Sequence, residues 1–350
     1  FAQAYMGVAF GTYLTSIFTG ISTSAAACII VTLFFLLNLL DLKTSAKVQN
    51  VVTSVLLVVL LSFIILGLGK CDMNQLFSKE SLLFGGTRGI FDACAAVLFG
   101  VGGCTIIMNF GPQIENPKRN IPKMTIITFV CAFLAFGLVA FVGSGVAPLA
   151  EVAGKPMTYQ AQIIYPGNWY LLFVIGGALL AIVTTINANY QRYWSSILRG
   201  VDEGWLPEFM GKRNKHGIPW VLMVLFWLMA LIPNLFGLNI GQLISLASAV
   251  TLIPMLIPVW GFVKLPERDP EGWNASKMSK TFASKGSRIA LCAASTILLG
   301  IFVVLNVLKF SKVAVIFVCI YFAVCAAICV FFGDKLLAAG EKRLAAKGEQ

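Results

Sequence analysis

Three glycines within four positions interrupt a stretch of the chain that is otherwise apolar. Residues 99 to 104 read Phe-Gly-Val-Gly-Gly-Cys and lie inside an apolar run from 89 to 111. A glycine in a helix interior costs about 1 kcal/mol relative to alanine. Lipid offers no water to an unwound backbone, so non-helical backbone persists at membrane depth only where protein or a water-filled cavity surrounds it. If this run crosses a membrane, the glycines predict a broken helix.

Broken membrane helices expose carbonyl and N–H groups that can bind the charged ends of a small molecule, and free carbonyls prefer cations and amines. The alternative is that the glycines allow two helices to pack closely, as in small-xxx-small interfaces. The spacing Gly-x-Gly-Gly fits that pattern poorly. The predicted substrate-binding residues are Phe99, Gly100, Val101, Gly102, Gly103 and Cys104.

The composition places this run in a membrane. Of 350 residues, 58% are hydrophobic and 12% are charged, and the mean hydropathy is +0.87. A bilayer core requires about 20 apolar residues per helix. About ten such runs occur, at 1–19, 22–41, 48–69, 89–111, 123–149, 169–198, 219–236, 240–263, 289–308 and 312–332. The runs lack the alternation of barrel strands, so we predict an all-α integral membrane protein.

The net charge of +11 is explained by membrane topology. When the first run leads outward, 20 of the 26 lysines and arginines fall in loops and a tail on one side, and 6 fall on the other. This asymmetry is the positive-inside rule. It predicts a multi-pass protein of the cell membrane with a cytoplasmic C-terminus, and it requires no nucleic acid partner.

The residues that catalyse reactions or bind metals are sparse. The nine cysteines form no Cys-x-x-Cys motif, and eight of them lie inside the apolar runs. The one histidine, His216, lies in a basic loop, and the apolar runs contain no cluster of carboxylates. We therefore predict no catalytic residues, no metal site and no cofactor, and a membrane enzyme is a poor interpretation.

Three segments resemble the amino acid/polyamine/organocation transporter superfamily. Residues 116–122, Asn-Pro-Lys-Arg-Asn-Ile-Pro, match the family's NPxRxIP loop after its sixth span. Residues 38–50 resemble its turn between the fourth and fifth spans, and residues 204–219 resemble its loop after the eighth. The three matches occur in the family's order over nearly the whole chain, which makes the resemblance specific.

The resemblance implies an architecture of two inverted five-helix repeats of the leucine-transporter type, plus two further spans. In that frame the first run is the end of the third span, so an N-terminal truncation is expected. The expected transmembrane transporter domain covers 1–333. It comprises the remainder of the first repeat (1–69), the second repeat (89–264) and two extra spans (287–333), and a cytoplasmic tail follows at 334–350.

The resemblance also implies a function. We expect a secondary active permease or exchanger that moves amino acids or related amines by alternating access; the alternative is a transporter-like sensor or subunit that binds substrate without transport. Family members usually carry an aromatic gate where Cys104 stands, so that gate is in doubt here. Thr184 and Thr185 resemble a hydroxyl pair that holds sodium in related transporters, although threonines in spans more often bond to their own backbone. Leu56 replaces a lysine that some members use as a proton switch.

Overall fold

The computed structural model describes residues 2–18, 20–40, 46–101, 103–104, 114–238, 240–276, 278–308, 310 and 312–347. In these ranges the chain is helical, and the only extended pairing is an isolated bridge between Arg213 and Pro219. The helices are α1 (Ala2–Thr15), α2 (Thr23–Leu39), α3 (Ala46–Leu68), α4 (Met73–Leu76), α5 (Lys79–Leu82), α6 (Gly86–Val101), α7 (Pro117–Gly145), α8 (Leu149–Val152), α9 (Thr158–Ile164), α10 (Tyr170–Leu172), α11 (Leu180–Asp202), α12 (Trp220–Leu235), α13 (Ile240–Arg268), α14 (Pro270–Ala275), α15 (Met278–Thr281), α16 (Lys285–Val307) and α17 (Lys312–Lys347). A π-helix, Phe173–Leu179, joins α10 to α11.

Every predicted apolar run coincides with a helix of this chain. Within the described ranges, six helices are long and apolar enough to cross a membrane, and Thr23–Leu39 and Trp220–Leu235 are shorter apolar helices. The protein is therefore an all-α, multi-pass membrane protein. Several boundaries differ from the runs, and α7 begins at Pro117 rather than at 123, within the segment expected to form a loop. The helix in the 89–111 run ends at Val101, and α17 continues to Lys347, well beyond the apolar run that ends at 332.

The chain forms two compact units. One contains residues 1–84, 134–243 and 319–350, and the other contains 85–133 and 244–318. In the first unit, α1, α2, α11 and α12 all pack against one another. Val31, Ile186, Tyr190 and Met223 are fully buried in their common core. Gly7 permits this packing, because a Cβ there would lie 2.9 Å from Val31 Cγ2.

A second core of the first unit lies around α3. Phe63 of α3 stacks on Phe173 of the π-helix with ring centroids 4.5 Å apart. Gly67 allows α3 to approach α7, since a Cβ on Gly67 would overlap Val142 Cγ1. These contacts bury α3 on one side only, and its other side exposes aliphatic residues, as expected of a helix facing lipid.

In the second unit, α6 packs against α16, and Leu252 of α13 and Phe302 of α16 share a small buried core. The loop between α13 and α16 is held by Arg288, whose Nη1 donates to the carbonyls of Phe282 (3.0 Å) and Ala283 (2.9 Å). The Arg288 guanidinium also lies 5.4 Å from the ring centroid of Trp273. This loop is therefore ordered by one buried cation.

Contacts within the first unit sort its loops into two sets. Asn214 Nδ2 donates to the carbonyl of Leu39 at 2.8 Å, so the loop after α11 and the end of α2 share one side. On the other side, Asp72 N donates to the carbonyl of Gly145 at 3.0 Å, and Ser16 and Thr158 hydroxyls lie 2.8 Å apart.

Candidate functional site

The predicted substrate-binding segment lies at the end of α6. This helix contains Phe99, Gly100 and Val101 in its last turn and ends at Val101. Gly103 and Cys104 form a short 3-10 turn, and Gly102 lies outside the described residues. The regular i to i−4 hydrogen bonding therefore stops within the apolar run that reaches residue 111.

Burial differs along this segment. Gly100 and Gly103 are exposed and Val101 is half-buried, whereas Cys104 is 7% exposed. The last four carbonyls of an α-helix lack intrahelical partners, and the helix dipole places partial negative charge at the same end. The end of α6 is thus chemically suited to a positively charged group such as an ammonium, and the absence of side chains at Gly100 and Gly103 leaves the backbone accessible.

The NPxRxIP motif builds the start of α7. Asn116 adopts a left-handed backbone conformation (φ 49°), and its carbonyl accepts hydrogen bonds from the amides of Arg119 and Asn120, both at 3.0 Å. Asn120 Nδ2 donates to the Glu115 carbonyl at 2.6 Å. Pro117 is the first helical residue, where its missing N–H has no cost. A cavity of about 450 Å³ is lined by Asn116, Pro117, Arg119 and Asn120.

The candidate cation site, Thr184 and Thr185, lies on α11. Thr184 Oγ1 donates to the carbonyls of Leu180 (3.1 Å) and Ala181 (3.0 Å), and Thr185 Oγ1 donates to the Ala181 carbonyl at 2.7 Å. The backbone bonding that the sequence left open is therefore present. Each hydroxyl oxygen retains lone pairs after donating its proton, so both can still accept from a donor or coordinate a hard cation.

Two features beside Thr184 and Thr185 were not predicted. The first is the π-helix at Phe173–Leu179; such segments occur frequently at functional sites. Gly177 lies in it, and a Cβ there would be 3.0 Å from Val59 Cγ1 of α3. The glycine pair at 176 and 177 was the available signal for this close packing. A groove of about 620 Å³ runs past Val59 and Gly176.

The second feature is a set of buried amides. Asn38 Nδ2 of α2 donates to Asn187 Oδ1 of α11 at 2.9 Å, and Gln3 Nε2 of α1 donates to the Ile186 carbonyl at 3.2 Å. Asn187 lies three residues after Thr184 on α11 and is half-buried. Its bond to Asn38 fixes α11 against α2, next to the two hydroxyls.

The two candidate sites belong to different compact units, residues 99–104 to the second and Thr184 with Thr185 to the first. An apolar helical bundle and a helix that ends inside its apolar run are features of multi-pass transport proteins. The amino acid permease family model matches residues 1–330. The chain belongs to the amino acid permease family.

Individual relatives agree with this assignment. The chain is 24% identical over 269 residues to the branched-chain amino acid permease BcaP of Bacillus subtilis, covering 76% of this chain and 57% of the relative. It is 26% identical over 204 residues to the probable agmatine/putrescine antiporter AguD of Lactococcus lactis (53% and 42%). It is 22% identical over 250 residues to the methylthioribose transporter of B. subtilis (70% and 52%). The chain thus spans about half the length of these curated relatives, all of which are named as transport proteins.

Proposed function

We propose that the protein is a secondary active transporter of amino acids or related amines, which moves its substrate by alternating access around residues 99–104. The observation that carries the proposal is the end of α6 at Val101, inside an apolar run that continues to residue 111. The family assignment supports it. The relatives are named for the transport of branched-chain amino acids, of agmatine and putrescine, and of methylthioribose, all of which are small polar molecules.

The backbone chemistry favours an amine group at this site. The last turn of α6, from Leu98 to Val101, lies at the negative end of the helix dipole, where an α-helix presents its terminal carbonyls to donors from outside the helix. An ammonium group would satisfy several of them at once, as occurs where helices are broken in transporters. The buried side chain of Cys104 is smaller than an aromatic residue, so the site has room for a substrate with a bulky or extended side chain.

For energy coupling, the proposal has two forms: exchange of one substrate for another, or coupling to sodium at Thr184 and Thr185. The lone pairs of the two hydroxyls support the second form. Two hydroxyl oxygens do not complete a coordination shell, so further oxygens would have to be contributed by other residues. Leucine at position 56 cannot titrate, so we propose no lysine-based proton switch. We also propose that the membrane is the cell membrane and that the C-terminus is cytoplasmic.

The test is counterflow exchange in proteoliposomes loaded with unlabelled amino acids or diamines. We expect saturable uptake of at least one labelled substrate. Gly103→Leu should lower that uptake at least about tenfold, because the added side chain would cover the backbone groups. Gly137→Leu is the matched control, since a Cβ at Gly137 of α7 meets no atom within 4 Å. Equal uptake by both variants would contradict the assignment of the site.

The same preparation separates transport from sensing. The alternative function, a transporter-like sensor or subunit, predicts that substrate binds to the purified protein but that no counterflow occurs. Sodium coupling predicts that uptake rises when external choline is replaced by sodium and that Thr185→Ala removes this rise. Uphill uptake driven by a proton gradient alone, without sodium or internal substrate, would contradict both forms of coupling.

A further inference from the structure

Two glycines that are 136 positions apart in the sequence meet at the end of α11. Gly204 lies in the turn that follows α11, and Gly340 lies on the part of α17 that continues beyond its apolar run. A Cβ on Gly340 would overlap the carbonyl of Glu203, and a Cβ on Gly204 would overlap the Gly340 amide nitrogen and the Leu336 carbonyl. The contact is therefore between two backbones, and it requires glycine on both sides.

The close approach is specific to this position of the helix. Gly333 lies seven residues earlier on α17, and a Cβ there would meet no atom within 4 Å. Gly340 is buried and Leu336 is half-buried, whereas Leu337, between them, is 47% exposed. One face of the extended helix therefore rests on the turn, and the other faces solvent.

The Glu203–Gly204 turn, which contacts α17, is hydrogen-bonded to the last turn of α11. The Glu203 amide donates to the Arg199 carbonyl at 2.8 Å, and the Gly204 amide donates to the Val201 carbonyl at 3.1 Å. Leu206 N reaches back to the Gly200 carbonyl at 3.2 Å. Gly204 has a φ of +86°, a conformation that glycine adopts most readily. Three backbone hydrogen bonds therefore fix the turn to the last residues of α11.

The helix that rests on this turn connects the two compact units. Residues 312–318 of α17 belong to the second unit, and residues 319–350 belong to the first. Alternating access generally involves the movement of one bundle of helices against another. If transport involves such a movement at the end of α11, α17 must bend or its contact with the turn must open.

We propose that residues 334–347 form a docked strut, which holds the end of α17 on the Glu203–Gly204 turn and slows the conformational cycle. While Gly340 contacts the turn, the strut restrains the movement of α17 relative to α11, and the restraint ends when this contact opens. The proposal rests on the proposed transport function, because its effect is on the rate of that transport. A restraint on the cycle lowers the maximal rate and leaves the substrate-binding groups at residues 99–104 unchanged.

The test uses Gly340→Ala and Gly340→Leu, with Gly333→Leu as the matched control on the same helix. We expect the maximal rate of counterflow to rise about threefold or more in both Gly340→Ala and Gly340→Leu, because the overlap with the Glu203 carbonyl already arises at Cβ, with the half-saturation concentration unchanged. Gly333→Leu should behave as the unsubstituted protein. An unchanged or lower maximal rate in both Gly340 variants, with normal protein yield, would overturn the proposal.

A second measurement reports docking without transport. The probe is a bimane fluorophore on Leu336→Cys, in a background without the native cysteines, because the Leu336 carbonyl lies against Gly204 and Trp205 directly follows Gly204 in the chain. Tryptophan quenches bimane at short range, so Gly340→Leu should raise the fluorescence and Gly333→Leu should not. If no protein catalyses counterflow but the fluorescence rises as expected, the proposed transport fails and docking stands. If counterflow occurs and neither rate nor fluorescence changes, the strut alone is refuted.

Discussion

Replacing Asn214 by alanine should lower the stability of the protein, because this side chain connects two distant segments. Its Nδ2 donates to the carbonyl of Leu39 at 2.8 Å, where α2 ends. Its Oδ1 accepts from the amides of His216 (2.9 Å) and Ile218 (3.0 Å). Alanine removes three hydrogen bonds, each contributing about 1 kcal/mol. Asn214 is only half-buried, so water replaces part of the loss, and we expect a net cost of about 2 kcal/mol.

The assay is thermal unfolding of purified protein in detergent. A cost of this size should lower the apparent Tm by about 4 °C, since 1 kcal/mol corresponds to about 2 to 4 °C in chains of 150 to 250 residues. Asn214→Asp keeps both acceptor bonds and loses the donor to Leu39, so its Tm should lie between those of Asn214→Ala and the unsubstituted protein. Asn274→Ala, at an exposed residue of α14, is the control. If Asn214→Ala melts within 1 °C of that control, the proposed connection contributes nothing.

Further predictions concern topology and packing. Burial raises the pKa of the Cys71 thiol, and the thiolate is the form that reacts. Labelling of Cys71 by an impermeant maleimide from outside should therefore be slow at pH 7. Its rate should increase about tenfold for each pH unit below that pKa. A cysteine at Ser276 should label only after permeabilisation, and equal labelling of both positions in intact cells would contradict the topology. In Gly67→Ala the added methyl group would overlap Val142, and such overpacking lowers the free energy of unfolding by about 1 to 3 kcal/mol. Gly137→Ala is the control, because its added methyl group meets no atom within 4 Å, and its Tm should be unchanged. An unchanged Tm for Gly67→Ala would refute the packing argument.

Hydropathy predicted the helices well because it measures the property that the bilayer selects. Within the described residues each of the ten runs overlaps one or more helices, whereas residues 117–122 of the NPxRxIP motif, expected to form a loop, are the first residues of α7. Helix ends were less predictable, since they depend on capping and on tertiary contacts. The apolar run that ends at 332 gave no sign that α17 continues to Lys347, because a helix that leaves the membrane no longer needs apolar residues.

The contacts between distant segments could not be predicted from patterns of single residues. The pair Asn38 and Asn187 joins α2 to α11 at 2.9 Å, yet each asparagine taken alone could equally bond to its own helix. The π-helix at Phe173–Leu179 is also invisible to hydropathy, because one extra residue per turn changes neither length nor polarity enough to register. Such features can be predicted only when the packing partner is known, and for this π-helix that partner is α3.

The glycine segment at 99–104 and the threonine pair at 184 and 185 differ in how strongly their sequence alone predicts a binding site. Glycines at 100 and 103 predict accessible backbone, because a helix interruption persists at membrane depth only where protein or a water-filled cavity surrounds it. A threonine pair carries no such signal, since its hydroxyls can be satisfied within one turn of the same helix. In α11 both threonine hydroxyls donate to the carbonyl of Ala181. That carbonyl is therefore occupied, and the two hydroxyl oxygens are the atoms that can still accept a hydrogen bond or coordinate a cation. Whether Thr184 and Thr185 bind a cation therefore depends on oxygens contributed from outside α11, and sodium dependence of counterflow tests the complete set.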